Sequence, residues 1–301
     1  MGKSLFSRIA PYLLRPLTDA QYAYLEYWWH MGRPPCMANP GTLNEKIQWL
    51  KLYYREPLLV QCQDKFAVRG YVSSLGLSEI LIPLLGVFDR AGDIRYDDLP
   101  DQFILKATHG SGWNVICRSR ASFDSAAATA TLAKYLRTSF YRLGREWAYK
   151  HIRPRIVCEA LLLDAGGSIP PDYKFHCFNG EPRFLQVEYS RFEAHTRNFY
   201  DLRWNRLPLG YDYPNNPIVN DSPPDAFPRL LEVARSLCAP FPYARVDLYI
   251  LDGRVFFGEF TFYPRRGLIP FVPAMYDRIF GSYLDLTGMA AYGGQSQPRR
   301  G

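Results

Sequence analysis

Apolar and polar residues alternate most regularly between positions 244 and 266, in the sequence A-R-V-D-L-Y-I-L-D-G-R-V-F-F-G-E-F-T-F-Y-P-R-R. This alternation predicts two strands, at 245–251 and at about 254–262, because side chains two apart on a strand share a face. The Asp252-Gly253 pair between them is typical of a tight hairpin turn. We therefore expect a β-hairpin near the carboxyl end of the chain.

Three oxygen-bearing side chains interrupt the apolar pattern of this hairpin. Glu259 and Thr261 are two residues apart and face the same way, and Asp247 can face Glu259 from the neighbouring strand. Two carboxylates on one face repel unless a cation lies between them, and Mg²⁺ prefers such oxygen ligands. The pattern equally suits solvated acids, or acids paired with Arg245 or Arg254, and the hairpin alone leaves these interpretations open.

Apolar runs and alternating segments predict the remaining strands. Asn179-Gly180 is a further hairpin signal, between two alternating segments. The segment at 190–225 is rich in proline and is predicted to be loop. The predicted strands lie at 80–87, 103–107, 115–117, 155–163, 172–178 and 183–189.

Helical patterns occupy much of the rest of the chain. Thr42 with Glu45 three residues later is a capping box, and Gly76 is a typical helix stop. The predicted helices lie at 1–35, 43–54, 65–75, 123–143 and 227–237.

A glycine-containing loop joins two of the predicted strands. Phe103–Ala107 carries Lys106 near its end and runs into T-H-G-S-G-W-N at 108–114, after which the apolar pattern resumes. The tip of such a hairpin has free backbone N–H groups that can cap phosphates. It does not match the Walker phosphate loop, because the G-x-x-x-x-G-K-[ST] spacing and a following helix are both missing. An ordinary hairpin turn remains the alternative.

Composition bounds the class of protein. The chain has 301 residues, of which 48% are hydrophobic and 16% aromatic, enough for one large domain or a few packed subdomains. The net charge of +7 and the pI of about 9.0 favour anionic partners such as phosphates, acidic sugars or a membrane surface. Because no dense Lys/Arg run and no nucleic-acid motif is present, we expect no nucleic-acid partner.

The sequence also predicts a location. It contains no apolar run long enough to span a membrane, no secretory signal pattern and no myristoylation pattern. The six scattered cysteines include no C-x-x-C pair, which indicates reduced thiols in a cytoplasmic protein rather than a disulfide or zinc framework. Basic and apolar residues interleave over positions 3–15, so peripheral association with the inner face of a membrane stays open beside a helix packed on its own domain.

Six motifs, taken in order, resemble the ATP-grasp superfamily, and more narrowly its TupA-like branch, named for teichuronopeptide biosynthesis. The narrower resemblance covers about residues 40–285. It rests on the phrases L-N-E-K-I-Q-W-L-K, D-K-F-A-V-R, K-A-T-H-G-S-G-W-N and D-Y-K-F-H-C-F-N-G-E-P, and the wider one also on R-V-D and G-E-F-T. It implies an α+β ATP-grasp fold in which two subdomains clasp ATP. The expected divisions are an N-terminal helical and αβ portion at 1–100, a small subdomain at 101–160, a C-terminal subdomain at 161–287 and a disordered tail at 288–301.

The resemblance implies nucleotide-binding roles for several residues. Lys106 would contact the α- and β-phosphates, and Lys65 is similar to the superfamily's other nucleotide lysine. Asp172 lies where the family places an acid on the ribose, and Lys174 could serve phosphate or balance a carboxylate. Solvated surface charges are the alternative for all four. The flexible lid over the phosphates would comprise His109, Gly110, Ser111 and Gly112, and the connection that binds adenine through its main chain would comprise Glu159, Ala160, Leu161 and Leu162.

The resemblance also implies a metal site and a catalytic arginine. Asp247 and Glu259 look like the Mg²⁺ carboxylates, whereas Thr261 stands where the family usually has asparagine, so the amide oxygen is lost. Arg245 matches an arginine that stabilises an anionic tetrahedral intermediate in related ligases. Arg265 and Arg266 would bind an acidic substrate or simply lie at the surface.

The activity implied is ATP-dependent ligation of a carboxylate to an amine through an acylphosphate. The substrates would be a uronic-acid or amino-acid carboxylate in cell-surface polysaccharide biosynthesis and an amino acid or other amine. No catalytic Ser-His-Asp or Cys-His arrangement stands out, and we interpret His176 and His195 as structural or substrate-side residues. A kinase or glycosyltransferase of the same pathway, and a degenerate ATP-grasp protein that binds without turnover, are the alternatives.

Overall fold

The computed structural model describes residues 16–189, 194–218 and 222–289. Within these ranges the chain forms two antiparallel sheets with helices packed around them, which is the α+β class expected from the sequence. The strands are β1 Leu84–Phe88, β2 Phe103–Ala107, β3 Asn114–Cys117, β4 Ile156–Ala160, β5 Asp172–Phe178, β6 Glu181–Tyr189, β7 Thr196–Asp201, β8 Tyr243–Leu251 and β9 Arg254–Thr261.

The larger sheet has five strands in the order β7-β6-β5-β8-β9. One of its faces is apolar, and residues such as Phe175, Val246 and Leu248 pack there into the main hydrophobic core. The opposite face carries polar side chains in register across the strands. One row runs through Arg197, Glu188, Asp172 and Tyr249, and the next through Gln186, Lys174, Asp247 and Glu259.

The smaller sheet has four strands in the order β1-β4-β2-β3. Its apolar side chains form a second core with part of the helix Ser125–Arg137, which follows β3. The strand β1 belongs to this sheet through its pairing with β4, although it comes from the first hundred residues of the chain. The predicted domain boundaries themselves stay predictions.

The helices connect and cover the sheets. Capping boxes at Thr18 and Thr42 begin the first two helices, and the second of these boxes was expected from the Thr42–Glu45 spacing. The helices at Pro57–Gln63 and Phe227–Cys238 each have a proline in the first turn, where its missing N–H costs no hydrogen bond. The helices are α1 Asp19–Met31, α2 Leu43–Tyr53, α3 Pro57–Gln63, α4 Val68–Ser74, α5 Ser125–Arg137, α6 Tyr141–Gly144, α7 Phe227–Cys238 and α8 Met275–Tyr283.

Several predicted elements differ from the structure. Within the described residues the helix expected at 1–35 spans only Asp19–Met31, and the strand expected at 155–163 spans only Ile156–Ala160. The helix expected at 65–75 begins only at Val68, because the Asp64 carboxylate accepts the N–H groups of Phe66 and Ala67 and holds a turn around Lys65. The segment at 123–143 is two helices rather than one, and the strand expected at 80–87 begins only at Leu84.

The loop expected at 190–225 contains β7, which sequence reasoning missed. This strand pairs with β6 along its whole length and carries Arg197 onto the polar face. Its pattern, T-R-N-F-Y-D, has two buried polar residues, Arg197 and Asn198, which hide the alternation that marks other strands.

Two expectations about the chain ends concern residues outside the described ranges. The basic and apolar segment at 3–15 lies there, and so does nearly all of the tail predicted at 288–301. Among the described residues, no helix combines the length and apolarity needed to cross a membrane.

Candidate active site

Two adjoining clefts lie between the smaller sheet and the polar face of the larger one. The first is narrow, about 100 Å³, and its walls come from β2, β3, β4 and the connection that follows β4. The second is wide, about 600 Å³, and opens over β6, β8 and the segment after β9. Glu188 and Glu259 line both clefts, so these two acids mark the boundary between them.

Lys106 and Glu159 form an ion pair in the narrow cleft. The Lys106 Nζ atom on β2 lies 2.7 Å from Glu159 Oε2 on β4. Arg69 of α4 donates to the other carboxylate oxygen at 3.2 Å. Because Glu159 is held by two cations, removal of either one leaves the buried carboxylate paired. The ammonium of Lys106 lines the cleft, where it can meet an anionic ligand.

Lys65 connects the glycine loop to the larger sheet. Its Nζ donates to the Gly110 carbonyl oxygen at 2.6 Å and lies 3.6 Å from Glu259 Oε2. Burial lowers the pKa of the Lys65 ammonium, and the Glu259 carboxylate opposes that shift. Lys65 and Lys106 therefore bring two positive charges into one narrow cleft.

The four residues predicted as a phosphate lid take different positions. Ser111 lines the wide cleft and Gly112 the narrow one, where Gly112 adopts a φ of +71° that favours glycine. Gly110 is required for close packing, because a Cβ atom there would lie 2.4 Å from the Trp113 ring. His109 is buried away from both clefts, with Nε2 3.1 Å from the Tyr135 carbonyl oxygen and its ring against Trp113.

The predicted adenine-binding connection lies along the narrow cleft. The residues Ala160, Leu161 and Leu162 line it together with apolar side chains from β2 and β3. The Ala160 N–H donates to the Pro83 carbonyl oxygen at 3.0 Å and is therefore already used by the protein. The apolar walls and narrow shape suit a flat ring, with main-chain groups at the cleft edge.

Asp172, Lys174 and Asp247 form a chain of charges across β5 and β8. The Lys174 ammonium contacts both carboxylates, and all three side chains are buried. Arg245 donates to Asp247 from Nε and Nη2, each at 2.7 Å, and to the Thr261 hydroxyl at 2.9 Å. Burial alone would raise the pKa of Asp247, but Arg245 and Lys174 hold it below its usual range. Of these residues, Asp172 lines the narrow cleft, and Lys174 and Arg245 line the wide one.

Asp247 and Glu259 face each other across the β8–β9 hairpin, as the sequence pattern predicts. Among residues 16–189, 194–218 and 222–289, no cluster of three or more acidic, histidine or cysteine side chains could hold a metal ion. The oxygen donors nevertheless fit Mg²⁺ bound jointly with phosphates, because Glu259 lines both clefts and its nearest cation is 3.6 Å away. Asp247 and Thr261 contribute less, since Arg245 already donates to both.

A second polar network lies in the wide cleft, and sequence reasoning missed most of it. Glu188 accepts from Arg197 Nε at 2.8 Å and also contacts Gln186 and His195. Arg197 lies over the Tyr211 ring, with its guanidinium carbon 4.4 Å from the ring centroid. His195 therefore has a partner, Glu188, that no sequence spacing indicated. His176 is fully buried against Tyr243 and has a structural position.

Arg265 and Arg266 line the far side of the wide cleft. Both adopt left-handed backbone angles, with φ of 49° and 61°, which cost energy in residues other than glycine. Arg265 lies 3.2 Å from Asp212. Arg266 forms an ion pair with the buried Glu26 at 2.8 Å and donates to the Leu143 carbonyl oxygen. Arg266 thus ties the cleft wall to α1, and Arg265 keeps an exposed guanidinium there.

Glu146 is a buried acid in the wall of the wide cleft. Burial raises its pKa to about 7, against the opposing effect of the Lys51 and Arg266 charges. Lys51, itself fully buried, lies 3.7 Å from Glu26, so this wall contains an ionic cluster that no motif indicated.

The two antiparallel sheets bring Lys106 of the smaller sheet and Glu259 of the larger one to the same cleft, which is consistent with an ATP-grasp fold. A family model described as TupA-like ATPgrasp matches residues 45–285. The chain belongs to this family, as the motif order predicts.

Solved structures similar to the chain include several ligases. D-alanine–D-alanine ligase from Bacillus anthracis complexed with ATP is 13% identical, with a TM-score of 0.43, covering 79% of this chain and 68% of that chain. D-alanine–D-alanine ligase from Helicobacter pylori is 14% identical, with a TM-score of 0.41, covering 81% and 70%. D-cycloserine synthetase DcsG is 14% identical, with a TM-score of 0.40, covering 79% and 71%. No curated protein matches the sequence.

Proposed function

We propose that the protein is an ATP-dependent carboxylate–amine ligase that forms an amide bond through an acylphosphate. Membership of the TupA-like ATP-grasp family supports ATP use. The observation that carries the proposal is the convergence of cations at the junction of the two clefts. Lys65 and Lys106 come from the narrow cleft and Lys174 and Arg245 from the wide one, and Glu259 lies between the two pairs.

The narrow cleft would hold ATP. Adenine would lie between the apolar residues of β2, β3 and the connection after β4, and the phosphates would point toward Lys106 and Lys65. Glu259, with Asp247 behind it, would hold Mg²⁺, which supplies positive charge to the transferring phosphoryl group. Phosphoryl transfer needs positioning and charge neutralisation, so the proposed reaction requires no side-chain nucleophile from this chain.

The wide cleft would hold the carboxylate and the amine. The carboxylate oxygen attacks the γ-phosphorus, and ADP leaves with the bonding electron pair. The amine then attacks the acyl carbon, and phosphate leaves from the tetrahedral intermediate. Arg245 is fixed by two hydrogen bonds to Asp247, and such a fixed cation stabilises the oxyanion without reorganising.

The acidic substrate is proposed from the charge of the wide cleft. Arg197, Arg245, Arg265 and Arg266 all line it, which suits a uronic-acid or amino-acid carboxylate. Attachment of an amine to such an acid in cell-surface polysaccharide biosynthesis is the role we propose on the basis of the family. A glycan acceptor carried on a membrane lipid would account for peripheral contact with the inner face of a membrane.

One observation favours a second candidate, a binding protein without turnover. Arg245 already donates hydrogen bonds to Asp247 and to Thr261, so fewer oxygen atoms are left for a metal than two carboxylates and an amide would supply. A kinase or glycosyltransferase of the same pathway shares the nucleotide cleft but needs no amine.

The test is phosphate release from Mg-ATP against a panel of uronic acids and amino acids, with and without amines. Phosphate release that depends on both an acid and an amine supports the ligase. ADP formation without phosphate release supports a kinase. Isothermal titration that detects no binding of Mg-ATP would overturn both enzymatic functions, and binding without turnover would support the binding protein.

A further inference from the structure

We propose that His195, positioned by Glu188, is the base that takes the proton from the amine during amide formation. This inference rests on the proposed ligase function and assigns a role within the wide cleft. Neither the hairpin nor the nucleotide motifs account for either residue. The argument starts from their contacts.

Glu188 holds His195 in one orientation. His195 lies just before β7, and its Nε2 contacts Glu188 Oε2, while Arg197 donates to Oε1 of the same carboxylate from Nε at 2.8 Å. Burial by itself would raise the pKa of Glu188, but Arg197 keeps it below the usual value, so Glu188 remains a carboxylate. A carboxylate can only accept, so Nε2 of His195 carries the proton and donates it.

This tautomer leaves Nδ1 of His195 as a proton acceptor. An imidazole with one nitrogen bonded to a carboxylate and the other free is the arrangement by which a histidine serves as a general base. The Tyr213 ring lies against the imidazole, with the ring centroids 3.7 Å apart, and limits its rotation. Among the described residues, the charged and titratable groups around His195 are Glu188 on β6, Arg197 on β7 and the loop residues Asp212 and Tyr213.

The position of the pair suits the amine rather than ATP. His195 lines the wide cleft, and Glu188 lies at the boundary with the narrow one. The acids nearest to that boundary already have cationic partners: Asp172 and Asp247 contact Lys174, and Glu259 lies near Lys65. His195 lines the wide cleft, where the acceptor would bind, and the Glu188 carboxylate contacts only its Nε2 atom.

The proposed step moves one proton and one leaving group. The neutral amine nitrogen forms a bond to the acyl carbon of the acylphosphate, and Nδ1 of His195 takes the proton that the nitrogen must lose. The carbon–oxygen bond to phosphate then breaks, and its electron pair leaves with the phosphate. The proton returns to solvent from Nδ1 after the amide departs.

The test compares two nucleophiles on the same full-length enzyme. Both nucleophiles lose an N–H proton as the new bond forms. Hydroxylamine is already neutral near pH 7 and reacts readily with acylphosphates, whereas the amine of glycine is mostly protonated there and depends more on a base. We expect His195→Gln to lower glycine-dependent amide formation by about 100-fold or more, the usual contribution of a general base, with hydroxamate formation reduced far less. His151→Gln is the matched control, because His151 is exposed and lies beside Trp147, away from both clefts.

Glu188 is a positioning residue, and its variants test that role. Glu188→Gln should shift the pH profile of kcat/KM for glycine, because the neutral amide no longer fixes Nε2 of His195 as the donor, and Glu188→Asp should restore part of the lost rate. A purely structural role would lower the amide and hydroxamate reactions together and leave the pH profile in place. That result would overturn the positioning role.

Three results would overturn the assignment of His195. The first is an equal loss of amide and hydroxamate in His195→Gln, which would indicate substrate binding. The second is a selective loss of amide formation in Glu146→Gln, because Glu146 also lines the wide cleft. The third is an NMR spectrum of the ATP-free protein in which Nδ1 of His195 carries the proton. By contrast, a wild-type protein that forms neither product from any acid would overturn the proposed ligase itself.

Discussion

The Lys106 ammonium on β2 lies 2.7 Å from the Glu159 carboxylate on β4, on the same face of the smaller sheet. A strand-end lysine is thereby fixed at the wall of the narrow cleft before any nucleotide arrives. Arg69 holds the same carboxylate from the opposite side. Lys106 is thus part of a three-residue network with Glu159 and Arg69, so the loss of its charge can be separated from a loss of structure.

Lys106→Ala should abolish ATP turnover and leave the fold intact. Loss of one fixed cation near transferring phosphate typically costs about 100- to 1,000-fold in rate. The fold should persist because Glu159 keeps its bond to Arg69. Phosphate release measures the first effect and thermal unfolding followed by circular dichroism the second. Lys134→Ala, which replaces an exposed lysine on α5, is the control. Turnover near the wild-type rate in Lys106→Ala would refute the nucleotide site.

Glu259→Ala and Glu259→Gln should each abolish turnover by weakening Mg-ATP binding. Glu259 lines both clefts and faces Asp247, and neither replacement supplies a carboxylate to the metal. Isothermal titration with Mg-ATP, and with ATP in EDTA, measures the affinity with and without the metal. We expect the difference between these two affinities to be smaller in both variants than in the wild type. Glu232→Gln on the surface of α7 should preserve it, and an unchanged Mg²⁺ effect in Glu259→Gln would exclude this residue as a ligand.

The parts of the site that the sequence predicts are those fixed by local rules. Asp252-Gly253 sets the register of the β8–β9 hairpin from the turn as far as Leu248. A bulge after that residue shifts the register by one position and puts Asp247 opposite Glu259. The glycine loop after Lys106 is likewise read from one strand–loop–strand segment. Alternation and turn chemistry therefore predict both hairpins, but they do not predict the bulge.

The contacts that sequence reasoning missed depend on how elements pack. Arg69 and Glu159 are distant along the chain and are brought together by the docking of α4 on the smaller sheet. Glu188 and His195 are close along the chain, but their contact depends on β7, which pairs with β6 and was not predicted. His109 shows the opposite error, a role that was predicted but that the packing does not support. It belongs to the glycine-containing loop, yet its ring packs on Trp113, because tertiary packing decides the direction of a side chain within a loop. Had β7 been predicted, its pairing with β6 would have placed Arg197 opposite Glu188 and indicated this polar network.

Thr261→Asn should raise the affinity of the site for Mg²⁺. The hydroxyl of Thr261 accepts from Arg245 at 2.9 Å, and asparagine would add an amide oxygen at the position where the family usually has one. We expect the Mg²⁺ concentration for half-maximal turnover to fall several-fold. Thr261→Val keeps the shape and removes the hydroxyl, and it should raise that concentration or leave it unchanged. A weaker response to Mg²⁺ in Thr261→Asn would indicate that Thr261 serves Arg245 rather than the metal.

The pH dependence of stability should report on Glu146. Burial raises its pKa from 4.5 to about 7, so the folded protein binds a proton there that the unfolded chain releases. The free energy of unfolding should therefore fall as the pH rises from about 4.5 to about 7 and then level off at higher pH. Glu146→Gln removes this ionisation, while Lys51 retains its neighbour Glu26 at 3.7 Å. Urea unfolding should thus show the variant more stable than wild type by about 1–3 kcal/mol at pH 8, with little difference at pH 4.

The matched control for that measurement is Glu232→Gln, whose side chain is 65% exposed on α7. An exposed glutamate titrates alike in the folded and unfolded chains, so this replacement should leave the slope of stability with pH in place. If Glu146→Gln were equally displaced from wild type at pH 4 and pH 8, the change would come from packing rather than from ionisation. If it were less stable than wild type at pH 8, the Glu146 charge would be a net stabilising partner of Lys51 and Arg266. Either result would contradict a proton held by Glu146 in the wall of the wide cleft.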